Sequence, residues 1–171
     1  VLGVTLPYAI MLFVTLQRLS ELIIARLNTS RLLAAGAHEV GASHYPVMVA
    51  MHAAWLAALW FTVGDRPVSM PLLLLFAVLQ LMRIWVLATL HSRWTTRIIV
   101  TQDAALVNKG PFRFLRHPNY TVVTAEIAVL PLTFGLIWIA ALFTLLNAAM
   151  LYVRIAVENR ALYAPHRDPS A

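Results

Sequence analysis

Five apolar stretches, roughly 4 to 26, 45 to 63, 70 to 91, 119 to 134 and 136 to 157, take up most of this 171-residue chain. At about 1.5 Å of rise per helical residue, most are long enough to cross a hydrocarbon core of about 30 Å. Composition agrees: 61% of residues are hydrophobic and 12% charged, against about half and a quarter in soluble domains. The expected fold is an all-α integral membrane protein with about five transmembrane helices. A soluble enzyme, a disordered chain and a coiled coil are excluded. The fourth stretch is short, contains Pro131, and is separated from the fifth only by Phe134-Gly135-Leu136. The last two helices should therefore form a tight hairpin that turns at Gly135. No basic region precedes the first apolar run, so Val1 to Tyr8 do not read as a cleavable signal peptide, and the lack of Met at position 1 points to a trimmed start. Without cysteine there is no disulfide framework, thiolate nucleophile or Cys-ligated zinc.

Thirteen Lys and Arg against seven Asp and Glu give a formal charge of +6. Basic residues concentrate in cytoplasmic loops, which tests the span count. With the N-terminus outside, the inner face collects Arg26, Arg31, Arg93, Arg97, Lys109, Arg113, Arg116, Arg154, Arg160 and Arg167, and the outer face holds Arg66. Arg18 and Arg83 fall inside spans. Topology and anionic lipid headgroups account for this excess better than nucleic acid does. An integral membrane location with the N-terminus outside is expected. The longest polar stretch, Ser92 to Asn119, lies on the inner face with the C-terminal tail, so chemistry is expected there. The chain reads as a single membrane domain, 1–171, with a three-helix scaffold in 1–92 and the polar motifs in 93–171.

Several polar groups need a reason. In Arg116-His117-Pro118-Asn119-Tyr120, Pro118 sits where the fourth helix would begin. The plain reading is a helix start with snorkelling arginines. The alternative is a carboxylate or phosphate site, because free helix N–H groups lie beside Arg113, Arg116 and His117. Gly110-Pro111 would turn the chain back towards it. Arg154 and Glu158 are four apart on one helix face: either an interfacial ion pair or two opposite charges for a zwitterionic ligand. Arg18, Glu21, His52, Gln80, Arg83 and Glu126 lie within spans, where charge is costly unless paired or facing a wet cavity. Arg18 with Glu21 reads as a structural pair, extendable to Arg83. Glu126, about two turns from Tyr120, is a candidate for facing a pocket that runs inward from the interface. Trp94 closes the third span as an interfacial anchor. The six histidines lack the His-x-x-x-His or Glu-x-x-His spacing of a helical metal site, so no metal is expected.

Gly110-Pro-Phe-Arg, Arg116-His-Pro-Asn-Tyr120, a helical hairpin and Arg154-x-x-x-Glu158-Asn-Arg-x-Leu162 together resemble the isoprenylcysteine carboxyl methyltransferase family. Gln17-Arg-Leu-Ser-Glu-Leu22, Gly36-Ala-His-Glu-Val-Gly41, His44-Tyr-Pro46 and His52 resemble its bacterial branch. The resemblance implies a membrane enzyme that transfers a methyl group from S-adenosylmethionine to an oxygen of a lipophilic acceptor. It also implies that the hairpin and the loop before it enclose the cofactor. Carried over, Arg116, His117, Pro118, Tyr120, Arg154 and Glu158 become cofactor-binding candidates. Asn159 departs from the prenylcysteine enzymes, which commonly have a second acid there, and makes a prenylated protein a doubtful acceptor. Bacterial relatives include enzymes that methylate phenolic or pyrone lipids.

The residues suit that assignment. S-adenosylmethionine needs both charge signs and a flat apolar slot. Arg116, helped by Arg113 or Arg154, would clamp the carboxylate, and Glu158 the ammonium. Tyr120, Trp94, Phe112 or Phe114 would flank adenine or sulfonium, with Gly110 turning the loop towards the site. A phenol or enol acceptor needs a base, for which His117 and Glu126 are candidates; a carboxylate needs none. The catalytic candidates are thus His117, Glu126, Arg154 and Glu158. The acceptor would enter sideways from the bilayer. Two other readings remain: a phospholipid N-methyltransferase, and a non-catalytic transporter or membrane subunit.

Overall fold

The computed structural model describes residues 5–101 and 107–163, with side chains through 160. Five helices make the framework: α1 (Leu6–Ala34), α2 (Tyr45–Thr62), α3 (Met70–Leu90), α4 (Pro118–Thr133) and α5 (Ile137–Tyr163). Pro7, Pro46, Pro71 and Pro118 sit in the first turns of α1 to α4. Proline's preset φ fits a helix there, and its missing N–H has no partner to lose.

The hairpin turns as its sequence requires. Gly135 has φ +69°, its N–H donates to the Leu132 carbonyl and that of Leu136 to the Pro131 carbonyl. Those two bonds form a Schellman motif, whose left-handed residue is ordinarily glycine. Gly36, at φ +90°, closes α1 in the same manner, with Gly36 and Ala37 donating to the Leu33 and Leu32 carbonyls.

Four helical segments are long and apolar enough to cross a membrane: Leu6–Ala34, Ala42–Thr62, Met70–Arg93 and Ile137–Arg160. The expected count of five is therefore met only in part. The missing one is α4, whose 16 residues rise about 24 Å. Helices α1 and α5 run past their expected ends at 26 and 157, which carries both into the polar face. Large side chains such as Phe13, Ile23, Leu74, Leu81, Leu145 and Trp138 are exposed on the outside, as lipid contact requires and water would penalise. This is an integral membrane protein.

One element was not anticipated in an all-α chain. His38–Val40 (β1) and Ile98–Val100 (β2) pair antiparallel, with His38 opposite Val100 and Val40 opposite Ile98. The Arg97 guanidinium reaches both Glu39 carboxylate oxygens at 2.9 and 2.7 Å and lies 4.3 Å from the centroid of the Tyr45 ring. The ribbon so ties the end of α1 to the loop beyond α3 and to the start of α2.

The apolar core, with Met11, Val14, Trp55, Leu59, Phe76, Leu130 and Phe134, is packed among the helices near the hairpin turn. Polar groups gather elsewhere. Arg83 on α3 grips both oxygens of Glu21 on α1, one at 2.6 Å, and donates to Glu126 on α4 at 2.8 Å. Arg18 reaches Glu126 at 2.7 Å and Glu21 at 3.4 Å. Gln80 and Gln17 supply further donors at 2.8 and 3.2 Å. The expected Arg18–Glu21–Arg83 group exists, with Glu126 as its fourth charge, so two cations meet two anions and three helices are cross-linked.

Candidate active site

Pro118 begins α4 and projects Tyr120 towards α5, two turns of which carry Arg154 and Glu158. Arg154 Nε donates to the Tyr120 hydroxyl at 2.9 Å, and that hydroxyl donates to Glu158 Oε2 at 2.6 Å. Arg154 and Glu158 thus meet through Tyr120; among the described residues they form no direct ion pair. Arg154 is buried, and its Nη1 approaches Met48 Sδ on α2 at 3.1 Å. The His117 ring stacks on Tyr120 with centroids 5.2 Å apart.

His117, Tyr120, Arg154 and Glu158 border a cavity of about 550 Å³, whose walls also include Arg93, Trp94, Arg97, Phe112, Arg116, Pro118 and Asn159. It has the size expected of a small-molecule site. A second cavity of about 270 Å³ lies deeper, between α1, α2, α4 and α5, and is lined mostly by apolar side chains such as Leu19, Leu22, Val49, Leu56, Val123 and Leu151. Trp94, Thr95, Asn119, Tyr120 and Arg154 belong to both linings. At this seam Trp94 Nε1 and Asn119 Oδ1 are buried and have no hydrogen-bond partner among the described residues. A buried donor and acceptor left in that state cost roughly 1–3 kcal/mol each unless a ligand or water satisfies them.

The candidates from sequence separate on this geometry. Arg116, His117, Pro118, Tyr120, Arg154, Glu158 and Trp94 all line the larger cavity. Gly110 does not: it has φ +54°, and a Cβ there would stand 2.6 Å from Thr89 Oγ1 and 3.2 Å from Trp85 Nε1 on α3. Its part is to let the loop pass close to α3. Phe112 is on the wall, whereas Phe114 is 76% exposed. Glu126 lines neither cavity, having turned into the ion cluster with Arg18 and Arg83. Arg167 and the tail beyond Tyr163 lie outside the described residues. Asn119 and Met48 are not among the residues singled out from sequence, although the His-Pro-Asn-Tyr run could have indicated Asn119; Thr95, beside Trp94 at the end of the third span, stands out there only as part of that end.

The family model for isoprenylcysteine carboxyl methyltransferases matches residues 72–164, the part of the chain that runs from α3 through α5. A Bacillus subtilis (strain 168) protein described as uncharacterized protein YpbQ is 38% identical over 151 residues, covering 85% of this chain and 90% of its own length. No solved structure gives a significant match. The chain belongs to the isoprenylcysteine carboxyl methyltransferase family. It is accordingly a membrane-embedded O-methyltransferase that uses S-adenosylmethionine and acts on a lipophilic acceptor. The transporter and N-methyltransferase readings give way to that membership. The larger cavity fits the cofactor on chemical grounds: cationic Arg116 and Arg154, anionic Glu158, the rings of Trp94, Phe112 and Tyr120, and a free donor and acceptor at its inner edge.

Proposed function

We propose that the larger cavity holds S-adenosylmethionine, that the deeper apolar one holds the acceptor, and that methyl transfer takes place across their shared wall. The observation that carries this reading is the seam itself, where Trp94, Thr95, Asn119, Tyr120 and Arg154 border both spaces. When bound, the cofactor supplies an electrophilic methyl on a sulfonium. Arg116 and Arg154 bind its carboxylate, and the second oxygen of Glu158 binds its ammonium. Phe112, Trp94 and Tyr120 offer faces to adenine and sulfonium. His117 holds the Tyr120 ring by stacking, which keeps the hydroxyl between Arg154 and Glu158.

The chain works on the reaction by positioning and by excluding water. An oxygen held in line with a methyl needs no further approach entropy, and an apolar lining keeps out the competing nucleophile. The lipid tail runs sideways between helices into the bilayer. In this arrangement residues 1–92 supply most of the acceptor side and 93–171 most of the cofactor side, within one domain. We read α4 as a fifth, short span buried among its neighbours, with the N-terminus outside and the site on the cytoplasmic face, where basic residues collect.

Membranes containing the protein, given methyl-labelled S-adenosylmethionine and a lipid extract, should yield a labelled apolar product whose mass spectrum contains a new O-methyl. Label found only in amine headgroups, or none above membranes without the protein, would refute the reading.

A further inference from the structure

Within the apolar cavity one side chain is suited to take up a proton. His52, on α2, lines it, and its Nδ1 is 2.8 Å from the Met48 carbonyl one turn earlier. A carbonyl oxygen can only accept, so Nδ1 carries the hydrogen and the neutral ring's lone pair is on Nε2. Nε2 has no hydrogen-bond partner among the described residues. The other groups of either cavity are committed elsewhere. Glu21 accepts from Arg83, Arg18 and Gln17, Glu126 lies off both linings, and His117 borders the cofactor side alone. Tyr45 is hydrogen-bonded to Thr96 at 3.0 Å.

We propose that His52 is the general base of the reaction, serving an acceptor whose oxygen arrives with a proton, as that of a phenol or enol does. This rests on the reading above that the acceptor fills the apolar cavity. A carboxylate arrives without a proton, and His52 would then have nothing to do. In the step, Nε2 takes the hydroxyl proton while the oxygen's electron pair forms the new C–O bond to the donor methyl. The C–S bond breaks with its pair left on sulfur, giving a thioether. The positive charge of the sulfonium reappears on the imidazolium, which afterwards gives its proton to water. The charged groups around the ring are Arg18 and Glu21 from α1, Arg83 from α3 and Arg154 from α5. Arg18 and Arg83 are balanced by Glu21 and Glu126. Arg154 touches Met48, whose carbonyl orients the ring, and its cation favours an oxygen that is gaining negative charge.

The purified full chain in detergent tests this with 2-dodecyl-4-nitrophenol, whose absorbance reports its own ionisation. Without methyl donor, the bound probe should display the nitrophenolate band in wild type and the neutral band in His52→Ala and His52→Gln. With S-adenosylmethionine, its methylation should fall roughly 10²- to 10⁴-fold in both variants, and added imidazole should restore part of the rate in His52→Ala. Equal ionisation and equal rates in all three proteins would overturn the assignment, as would methylation of palmitate in place of the nitrophenol, or of neither. Calorimetry with S-adenosylmethionine separates the causes. Undiminished binding in the variants shows that they are folded and confines any failure to His52. No binding by wild type would overturn the cofactor reading and this inference with it.

Discussion

The Arg18–Glu21–Arg83–Glu126 group and the Tyr120–Arg154–Glu158 group are made from nearly the same side chains, yet only one of them is closed. In the first, every carboxylate oxygen accepts from an arginine or a glutamine and charge balances within the group. In the second, a tyrosine separates cation from anion, one Glu158 oxygen has no partner among the described residues, and all three residues line the larger cavity, whereas Arg18, Glu21 and Arg83 border only the deeper one with their charges already paired. Desolvation explains the contrast. Charges at membrane depth must cancel one another to persist, whereas charges at the interface can wait for a charged ligand. The same chemistry thus fastens helices at one level and, in the reading proposed above, is left open for a ligand at another.

The sharpest break between the two groups should come from Glu126→Ala. It leaves Arg18 and Arg83 short of an anion and should cost about 3–5 kcal/mol of stability, read as a lowered melting temperature in detergent. The fraction that remains folded should keep its cofactor affinity. Arg18→Leu should act alike, damaging stability more than binding; normal yield with abolished binding would reverse its assignment. Tyr120→Phe examines the open group. It removes hydrogen bonds to two charged partners, about 1.5–3 kcal/mol, so the melting temperature should fall, though by less than in Glu126→Ala, and S-adenosylmethionine should bind roughly 10-fold more weakly because Arg154 and Glu158 are no longer held by the hydroxyl between them.

Gly110→Ala asks whether the cavity wall depends on the loop's close approach to α3. The new Cβ meets Thr89 at a backbone angle that alanine resists, and about 1–3 kcal/mol of stability should be lost, with binding weakened through displacement of Phe112. Arg97→Ala should matter least. Its pair with Glu39 is part-exposed, and under about 1 kcal/mol is expected by thermal melting. A larger loss would mean that the ribbon, as much as the ion cluster, holds α1 in place.

Hydrophobic segment length made the helices and the hairpin legible in the sequence, since neither depends on distant contacts. Pro118 and Gly135 marked their boundaries for local backbone reasons. The polar motif around Arg116 and Tyr120 was legible as a candidate site because its charges cluster at one face, and its residues line one cavity. Glu126 was harder to place. Spacing put it on the helix of Tyr120, but only packing against α1 and α3 reveals that Arg18 and Arg83 hold it. The β1–β2 ribbon joins three-residue strands about sixty positions apart, too short for alternation to stand out. The apolar cavity is equally nonlocal: it is the space left where α1, α2, α4 and α5 diverge, and no segment encodes it alone.

The division into a closed and an open group is tested most directly by calorimetric titration of S-adenosylmethionine into detergent-purified wild type, Glu158→Gln and Glu126→Gln. Saturable binding to wild type and to folded Glu126→Gln, with its loss in Glu158→Gln, is the predicted result. Binding that survives in Glu158→Gln and vanishes in well-folded Glu126→Gln would contradict the account.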